Sequence, residues 1–366
     1  MLRVKLISVA GARPNFMKIA PLADAIAAHN ATTSPGIEHI LVHTGQHYDQ
    51  EMSDLFFKEL EIPEPDINLG VGGGSHAIQT AEIMKRIEPV LIEHQPDYLL
   101  VVGDVNSTIA CALVAVKLGI KVIHVEAGLR SYDRGMPEEI NRVLTDAISD
   151  LLFTTEREAT GNLLREGVSP DKIHFVGNVM IDTLLTHRIK AEQSDVLERM
   201  GVTGEYGVVT LHRPSNVDDP AQLAMLMATL HEVSSALQLI FPVHPRTRNS
   251  LSAHGIPVAE GICFLEPLGY LDFLKLQSSA RLVITDSGGI QEETTVLGVP
   301  CLTLRESTER PVTVTHGTNR LVPLRHDAIV AAAREILGGA VVTGRIPELW
   351  DGGAAQRIIS ILLNLA

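Results

Sequence analysis

The chain is short of positive charge. Its 366 residues include 30 Lys and Arg against 44 Asp and Glu, a formal net charge of -14. Such a surface repels polyanions, which argues against nucleic acid and anionic membrane as partners. Any phosphate ligand must be held by local basic groups against the global field. Cysteine is also scarce. Cys111, Cys263 and Cys301 stand far apart in apolar surroundings, without the spacing of a metal or redox site. That usage fits a reducing compartment, so the expected location is cytoplasmic. No apolar run approaches the length of a membrane span. The run at residues 4–10 is short and Gly11-Ala12-Arg13-Pro14 follows at once, so it reads as a first strand and not as a signal peptide. The turn after it is not GxGxxG, so the dinucleotide fingerprint is absent. Metal spacings such as HExxH are also missing, so neither cofactor nor metal is expected.

What is present is a βα rhythm. Hydrophobic residues make up 45% of a chain too long for one ordinary core, so two domains are expected. Short Val/Ile/Leu-rich runs at 4–10, 37–43, 98–102, 121–125, 151–154 and 172–176 read as buried strands. Helical patterns at 16–29, 50–60, 75–94, 107–118 and 138–149 lie between them. This alternation predicts a parallel, doubly wound α/β sheet. It then begins again, with strands at 207–211, 238–242, 262–265, 281–285 and 301–303. Between the two series, the charged stretch 182–206 contains no buried strand and reads as a junction. The expected domains are 1–180 and 181–352. A last helix at 353–366 reverses after Gly352-Gly353 to pack on the first domain.

Ligands of open α/β sheets bind beyond the carboxyl ends of the strands. One stretch stands out there: Ile284-Thr285-Asp286-Ser287-Gly288-Gly289-Ile290-Gln291-Glu292-Glu293. Two glycines allow a sharp turn and close approach of a ligand. The free N–H groups of the helix start, with Ser287, can hold a phosphate. Glu293 sits too far inside to cap the helix and would need another partner, such as a ribose hydroxyl pair. The plain alternative is a helix start with an acidic first turn, which favours the dipole anyway. Arg310, after the next strand, falls near this cradle.

The other strand ends carry charge as well. Gly11 to Lys18 offers Arg13 and Lys18, either for a phosphate or simply solvated. Asp104 follows the strand at 98–102 and could be only a helix N-terminal carboxylate. Glu126 ends the strand at 121–125, where burial makes a carboxylate harder to dismiss. Pro137 opens a helix on which Glu138 and Arg142 are four apart, the spacing of a surface ion pair. His212 ends a strand of the second series, where a single His is more often structural. Their joint placement is the signal: two such sheets facing one another would converge these groups on one interdomain cleft.

At this point the stretches GARPNFMKIAPL, TGQHYDQEM, VVGDVNST, HVEAGLRS, MPEEINR, LHRPSN, ITDSGGIQEE and STERPVT resemble, in this order, the non-hydrolysing UDP-N-acetylglucosamine 2-epimerases. The resemblance covers nearly the whole chain. It implies two Rossmann-like domains in the GT-B arrangement. It also implies interconversion of UDP-N-acetylglucosamine and UDP-N-acetylmannosamine without cofactor or metal, in a pathway to surface polysaccharide, by a homodimer. By the same resemblance Asp104, Glu126, Glu138 and His212 are catalytic-site residues, and Arg13 and Lys18 line the cleft. Ser287, Gly288 and Gly289 would hold the UDP phosphates, Glu293 the ribose, and Arg310 a further part of the nucleotide pocket. Phe273 matches an aromatic near the uracil, and Arg142 the arginine that partners the catalytic glutamate. Gln46 and His47 match residues with which activated members bind a second UDP-N-acetylglucosamine. The Arg-Gln pair that accompanies them elsewhere is replaced by Gly72-Gly73-Gly74-Ser75-His76, and a usual Glu by Asn15. Rival readings are a hydrolysing epimerase, an epimerase of a related UDP-sugar, a GT-B glycosyltransferase and a UDP-sugar sensor. The set of carboxylates disfavours the last two.

Overall fold

A computed structural model describes residues 4–33, 36–45, 59–257, 260–340 and 342–365. The chain divides into two compact units, Met1–Thr186 with Glu348–Ala366, and His187–Pro347. The first break falls inside a helix, a few residues beyond the expected 180/181, because the helix that opens the junction continues without a loop.

The first unit runs β1 (Lys5–Ala10), α1 (Arg13–Thr32), β2 (Glu38–His43), β3 (Ile67–Asn68), α2 (His76–His94), β4 (Tyr98–Val102), α3 (Asn106–Lys117), β5 (Lys121–Ala127), α4 (Pro137–Ile148), β6 (Leu151–Thr154), α5 (Arg157–Arg165), β7 (Ile173–Phe175) and α6 (Val179–Glu192). Its seven strands are all parallel, in the order β3-β2-β1-β4-β5-β6-β7. Helices cover both faces of such a sheet, which is why all five residues of β4 are buried and apolar. α2 shows how one helix fits: its buried residues, Gln79, Ile83, Ile87 and Leu91, recur every fourth position and face the sheet. The Ser75 hydroxyl caps its start by accepting from the Ile78 amide. The helix expected at 50–60 falls largely outside the described residues.

The second unit follows with α7 (Val196–Arg199), β8 (Tyr206–Thr210), α8 (Pro214–Val217), α9 (Pro220–Ser234), β9 (Gln238–Pro242), α10 (Pro245–Ala253), β10 (Ile262–Leu265), α11 (Tyr270–Ser278), β11 (Leu282–Thr285), α12 (Gly288–Leu297), β12 (Cys301–Leu304), α13 (Pro311–Thr315), β13 (Asn319–Val322) and α14 (His326–Leu337). Its six parallel strands take the order β10-β9-β8-β11-β12-β13. Alternate residues feed two cores. Leu282 and Ile284 point to one face of β11 and Val283 to the other. In both sheets the strand order reverses once, between β1 and β4 and between β8 and β11. These are the switch points where an open α/β sheet leaves a crevice.

The chain then returns to the first unit. Trp350 is fully buried and its Nε1 donates to the Thr155 carbonyl at 3.0 Å. Gly177, with φ 89°, faces it closely: a Cβ there would lie 2.0 Å from the Leu349 oxygen. α15 (Ala354–Leu365) packs beside α1. The Asp182 carboxylate accepts the first amides of α15, from Ala354 at 3.2 Å and Ala355 at 2.7 Å. Among the described residues no helix is long and apolar enough to cross a membrane.

Replacing Asp182 by Ala strands these buried N–H groups. It should lower the unfolding free energy by about 1–3 kcal/mol in urea titration, with the m-value unchanged. An unchanged midpoint would mean that the cap contributes nothing.

Candidate active site

At the first switch point the turn from β1 to α1 is locked by Asn15. Its Oδ1 accepts the Gly11 and Ala12 amides at 3.1 and 2.9 Å, and its Nδ2 donates to the Val102 carbonyl at 3.1 Å. One helical turn on, the Lys18 ammonium meets the Glu126 carboxylate, and both residues are buried. Glu126 is the extra residue of a bulge between Val125 and Ala127, at φ 72°. The left-handed region costs a non-glycine residue about 1–2 kcal/mol, so the bulge holds this side chain in place against strain. Gly103, at φ 66°, closes the group from β4: a Cβ there would stand 3.2 Å from Lys18 Nζ and 3.4 Å from Glu126 Oε2. Arg13 opens α1, but its side chain lies outside the described residues, as do Gln46 and His47 entirely.

α4 organises the rest of this half. Glu139, Arg142 and Asp146 form a buried charged stripe along it. Arg142 donates to Glu139 at 2.5 Å and to the Asp104 carboxylate. The plain surface pair with Glu138 that the spacing allowed is not formed; these contacts take its place. Glu138 is exposed and Arg142 buried, and it is Glu139, three residues away, that shares the buried face. Glu139 also accepts from the Ser131 amide and hydroxyl and the Tyr132 amide, at 2.9, 3.0 and 2.9 Å. Asp146 bonds His124 Nδ1 at 2.6 Å through one oxygen. The other accepts from the Gly128 amide at 3.1 Å and Arg130 at 2.7 Å. Burial disfavours the Arg130 charge, but the bonds and charges of Glu166 and Asp146 outweigh it and hold Arg130 above its ordinary range.

At the second switch point the last residue before the Ser-Gly-Gly turn does the fixing. Asp286 is fully buried and accepts from the His212 and Arg213 amides at 2.9 Å each and from Asn216 Nδ2 at 3.1 Å. Its other oxygen stands 2.8 Å from His212 Nδ1. Burial pushes this carboxyl up, but the bond and charge of His212 and the two backbone amides more than compensate and hold it below its ordinary value. His212 itself is partly exposed, with its Nδ1 tied to Asp286.

Beyond Asp286, α12 starts at Gly288 with Ser287 as N-cap, and the Ser287 hydroxyl does not cap the helix. Residues 287–290 are partly exposed. The acidic first turn expected from the sequence is therefore absent: that turn is Gly-Gly-Ile, and Glu292 and Glu293 fall in the next one, buried. Arg310 lies against this start, 2.9 Å from Glu292 and 2.7 Å from Glu309. A Cβ on Gly288 would come within 2.8 Å of both the Arg310 guanidinium and Glu309 Oε1, so a side chain there would have to push this ion pair aside. Gln291 braces the turn, donating to the Ser287 carbonyl at 3.1 Å and accepting from Thr308 and Asn319 at 2.7 and 3.0 Å. Glu293 accepts from the Tyr270 hydroxyl at 3.3 Å. Burial, aided by the Glu292 charge and opposed by bonds from Tyr270 and Gln277, pushes the Glu293 carboxyl up to about 7. Phe273 is half-buried and packs against one core of the second unit. Among the described residues no cluster of His, Cys, Asp and Glu is placed to hold a metal ion.

Two Rossmann-like sheets with charged groups gathered at each switch point define an α/β protein of the GT-B class. Known proteins narrow this. A family model described as UDP-N-acetylglucosamine 2-epimerase matches residues 29–363, and the chain belongs to that family. The UDP-N-acetylglucosamine 2-epimerase of Methanococcus maripaludis is 42% identical over 375 residues, 98% of this chain and 98% of that protein. A Pseudomonas aeruginosa protein, UDP-2,3-diacetamido-2,3-dideoxy-D-glucuronate 2-epimerase, is 40% identical over 368 residues, 99% of this chain and 100% of its own. The crystal structure of the Methanocaldococcus jannaschii UDP-GlcNAc 2-epimerase in complex with UDP-GlcNAc and UDP is similar at a TM-score of 0.92 and 41% identity, covering 99% of this chain and 100% of that one.

Two outcomes check the electrostatics. Lys18→Met should cost about 3–5 kcal/mol by removing the cation that faces the buried Glu126 carboxylate, and Lys18→Met with Glu126→Gln should recover much of that loss. Equal stability of the single and double variants in urea would contradict the pairing. For Glu293 the folded value of about 7 lies above the ordinary 4.5. The folded state therefore favours the neutral carboxyl. Its contribution is fully present below about pH 4.5 and is lost as pH rises through about 7. Glu293→Gln should flatten the fall of stability across that window, and an unaltered pH slope would count against the burial.

Proposed function

We propose that this protein epimerises carbon two of UDP-N-acetylglucosamine to give UDP-N-acetylmannosamine, by elimination and re-addition of UDP. The observation that carries the reading is the contrast among three carboxylates of the first unit. Asp104 is clamped by Arg142, Glu126 is buried against Lys18, and Glu138 is exposed at a helix start. Acid and base work on two faces of one sugar ring needs carboxyl groups in different environments.

The chemistry demands this. The hydrogen on carbon two has no neighbouring carbonyl, so direct removal is slow. Departure of UDP from the adjacent anomeric carbon builds positive character there and acidifies that hydrogen. The C–O bond breaks with its electron pair going to UDP, a carboxylate takes the proton, and a 2-acetamidoglucal remains. Re-addition of UDP to the anomeric carbon, with a proton delivered to the opposite face of carbon two, gives the epimer. Asp104, Glu126 and Glu138 are the groups assigned to the proton transfers. His212, held by Asp286, and the α12 amides from Ser287 to Gly289 are assigned to the departing diphosphate, supported by Arg310. Glu293 is assigned to the ribose and Phe273 to the uracil; Arg13 is assigned, with His212 and Arg310, to the departing diphosphate, and Lys18 to the lining of the first unit beside Glu126. Return of UDP, in place of water, makes the reaction non-hydrolysing.

Incubation with UDP-N-acetylglucosamine in deuterated water tests the reading. Deuterium should appear at carbon two of both epimers while the sugar stays linked to UDP. Free N-acetylmannosamine would instead mark a hydrolase, and absence of exchange would refute the elimination. Replacing Asp104, Glu126 or Glu138 by its amide should cut the rate on the order of 10²–10⁴-fold with UDP binding retained. Near-normal turnover in all three variants would refute the site. A second reading rests on the Pseudomonas aeruginosa relative: the preferred substrate is then a UDP-linked diacetamido uronic acid. A higher kcat/KM for that sugar than for UDP-N-acetylglucosamine would decide in its favour.

A further inference from the structure

His124 and Asp146 are the most deeply buried titratable pair that the proposed chemistry leaves unused. His124 has 0% of its surface exposed and Asp146 2%. The Nε2 atom of His124 lies 2.8 Å from the Gly103 carbonyl oxygen. A carbonyl can only accept, so Nε2 carries a hydrogen. The Nδ1 atom lies 2.6 Å from Asp146 Oδ1, and one hydrogen must sit between them. The other Asp146 oxygen accepts from the Gly128 amide and from Arg130, and both contacts favour the ionised carboxylate. That leaves the shared hydrogen on the ring. A positive ring beside a negative carboxylate is also what burial selects, since the pair then has no net charge. Around it, Arg130 is balanced by Glu166, at 2.8 and 2.6 Å, and Lys18 by Glu126 across Gly103.

We propose that His124 and Asp146 form a positioning pair, with the imidazole protonated on both nitrogens, that sets Asp104 and Glu126 relative to one another. Through Nε2 the pair pins the Gly103 carbonyl, one residue before Asp104. Through Asp146 Oδ2 it pins the Gly128 amide, two residues after the bulged Glu126. The two strand ends, on β4 and β5, are thus held by one buried unit in place of two independent turns. The catalytic meaning of this rests on the epimerase reading, but the proton arrangement does not.

Nitrogen NMR of the full chain labelled with 15N-histidine reads the ring directly, with the His124 signal identified by its loss in His124→Gln. The contacts of both ring nitrogens place a hydrogen on each, and two protonated nitrogens are the expected signal. A His124 nitrogen without a hydrogen overturns the proposal. Kinetics give the second arm. Asp146→Asn should lower kcat on the order of 10²-fold and leave KM for the UDP-sugar nearly unchanged. His124→Gln, which can still donate to the Gly103 carbonyl, should keep more activity than His124→Leu. Wild-type kcat in folded Asp146→Asn overturns the positioning role. If Asp146→Asn or His124→Leu prevents folding, the wild-type spectrum, assigned through His124→Gln, still decides. A wild-type protein that turns over no UDP-sugar while showing the doubly protonated ring would fault the functional reading alone.

Discussion

A carboxylate cannot be buried at the end of a strand without a partner, and that constraint shapes both halves of this molecule. Glu126 is kept by Lys18, which reaches it from α1. Asp286 is kept by two backbone amides, an asparagine and a histidine. In a chain with a net charge of -14, each such group needs a local cation or a set of N–H donors. The turns at the switch points are built around meeting that need. Asn15 locks the turn that delivers Lys18, Gly103 makes room for the ion pair, and the Glu126 bulge aims its carboxylate.

α4 and α12 play matching parts in the two units. Each carries buried acidic residues that neutralise arginines. On α4, Glu139 and Asp146 hold Arg142 and Arg130. On α12, Glu292 faces Arg310, with Glu309 on its other side. The arginines are therefore oriented before a ligand arrives. A preformed arrangement of charge does not have to reorganise when charge develops on a substrate, which is the condition under which electrostatic stabilisation is strongest.

The strands of both sheets could be read from the sequence because parallel strands buried on both faces are runs of Val, Ile and Leu bounded by turns. β3, with two residues, was too short to register. β13, Asn319–Val322, mixes buried and exposed positions at a sheet edge and gave no such run. Charged residues at strand ends were legible by position alone, which is how Asp104, Glu126 and His212 came to notice. The residues that fix them were not. Glu139 and Asp146 look like the polar side of a helix, and only the fold reveals that this side is buried. His124 lies inside an apolar strand, where its polarity has no visible partner in sequence. Asp286 could have been found by the argument used for Glu126, a carboxylate closing a buried strand before a glycine turn. The acidic first turn of α12 was misplaced because the two glycines belong to the helix, which shifts Glu292 and Glu293 inward.

The return of the chain through Trp350 makes the first unit discontinuous in sequence. α1 leaves the ribosome long before its neighbour α15. The second unit lies wholly between the two stretches that make up the first. During synthesis it can close its own cores while the first unit still lacks a helix and the cap that Asp182 provides. The apolar side of α1 must therefore stay uncovered for as long as the intervening chain takes to be made. A chaperone that shields one exposed helix face would find its substrate in that interval.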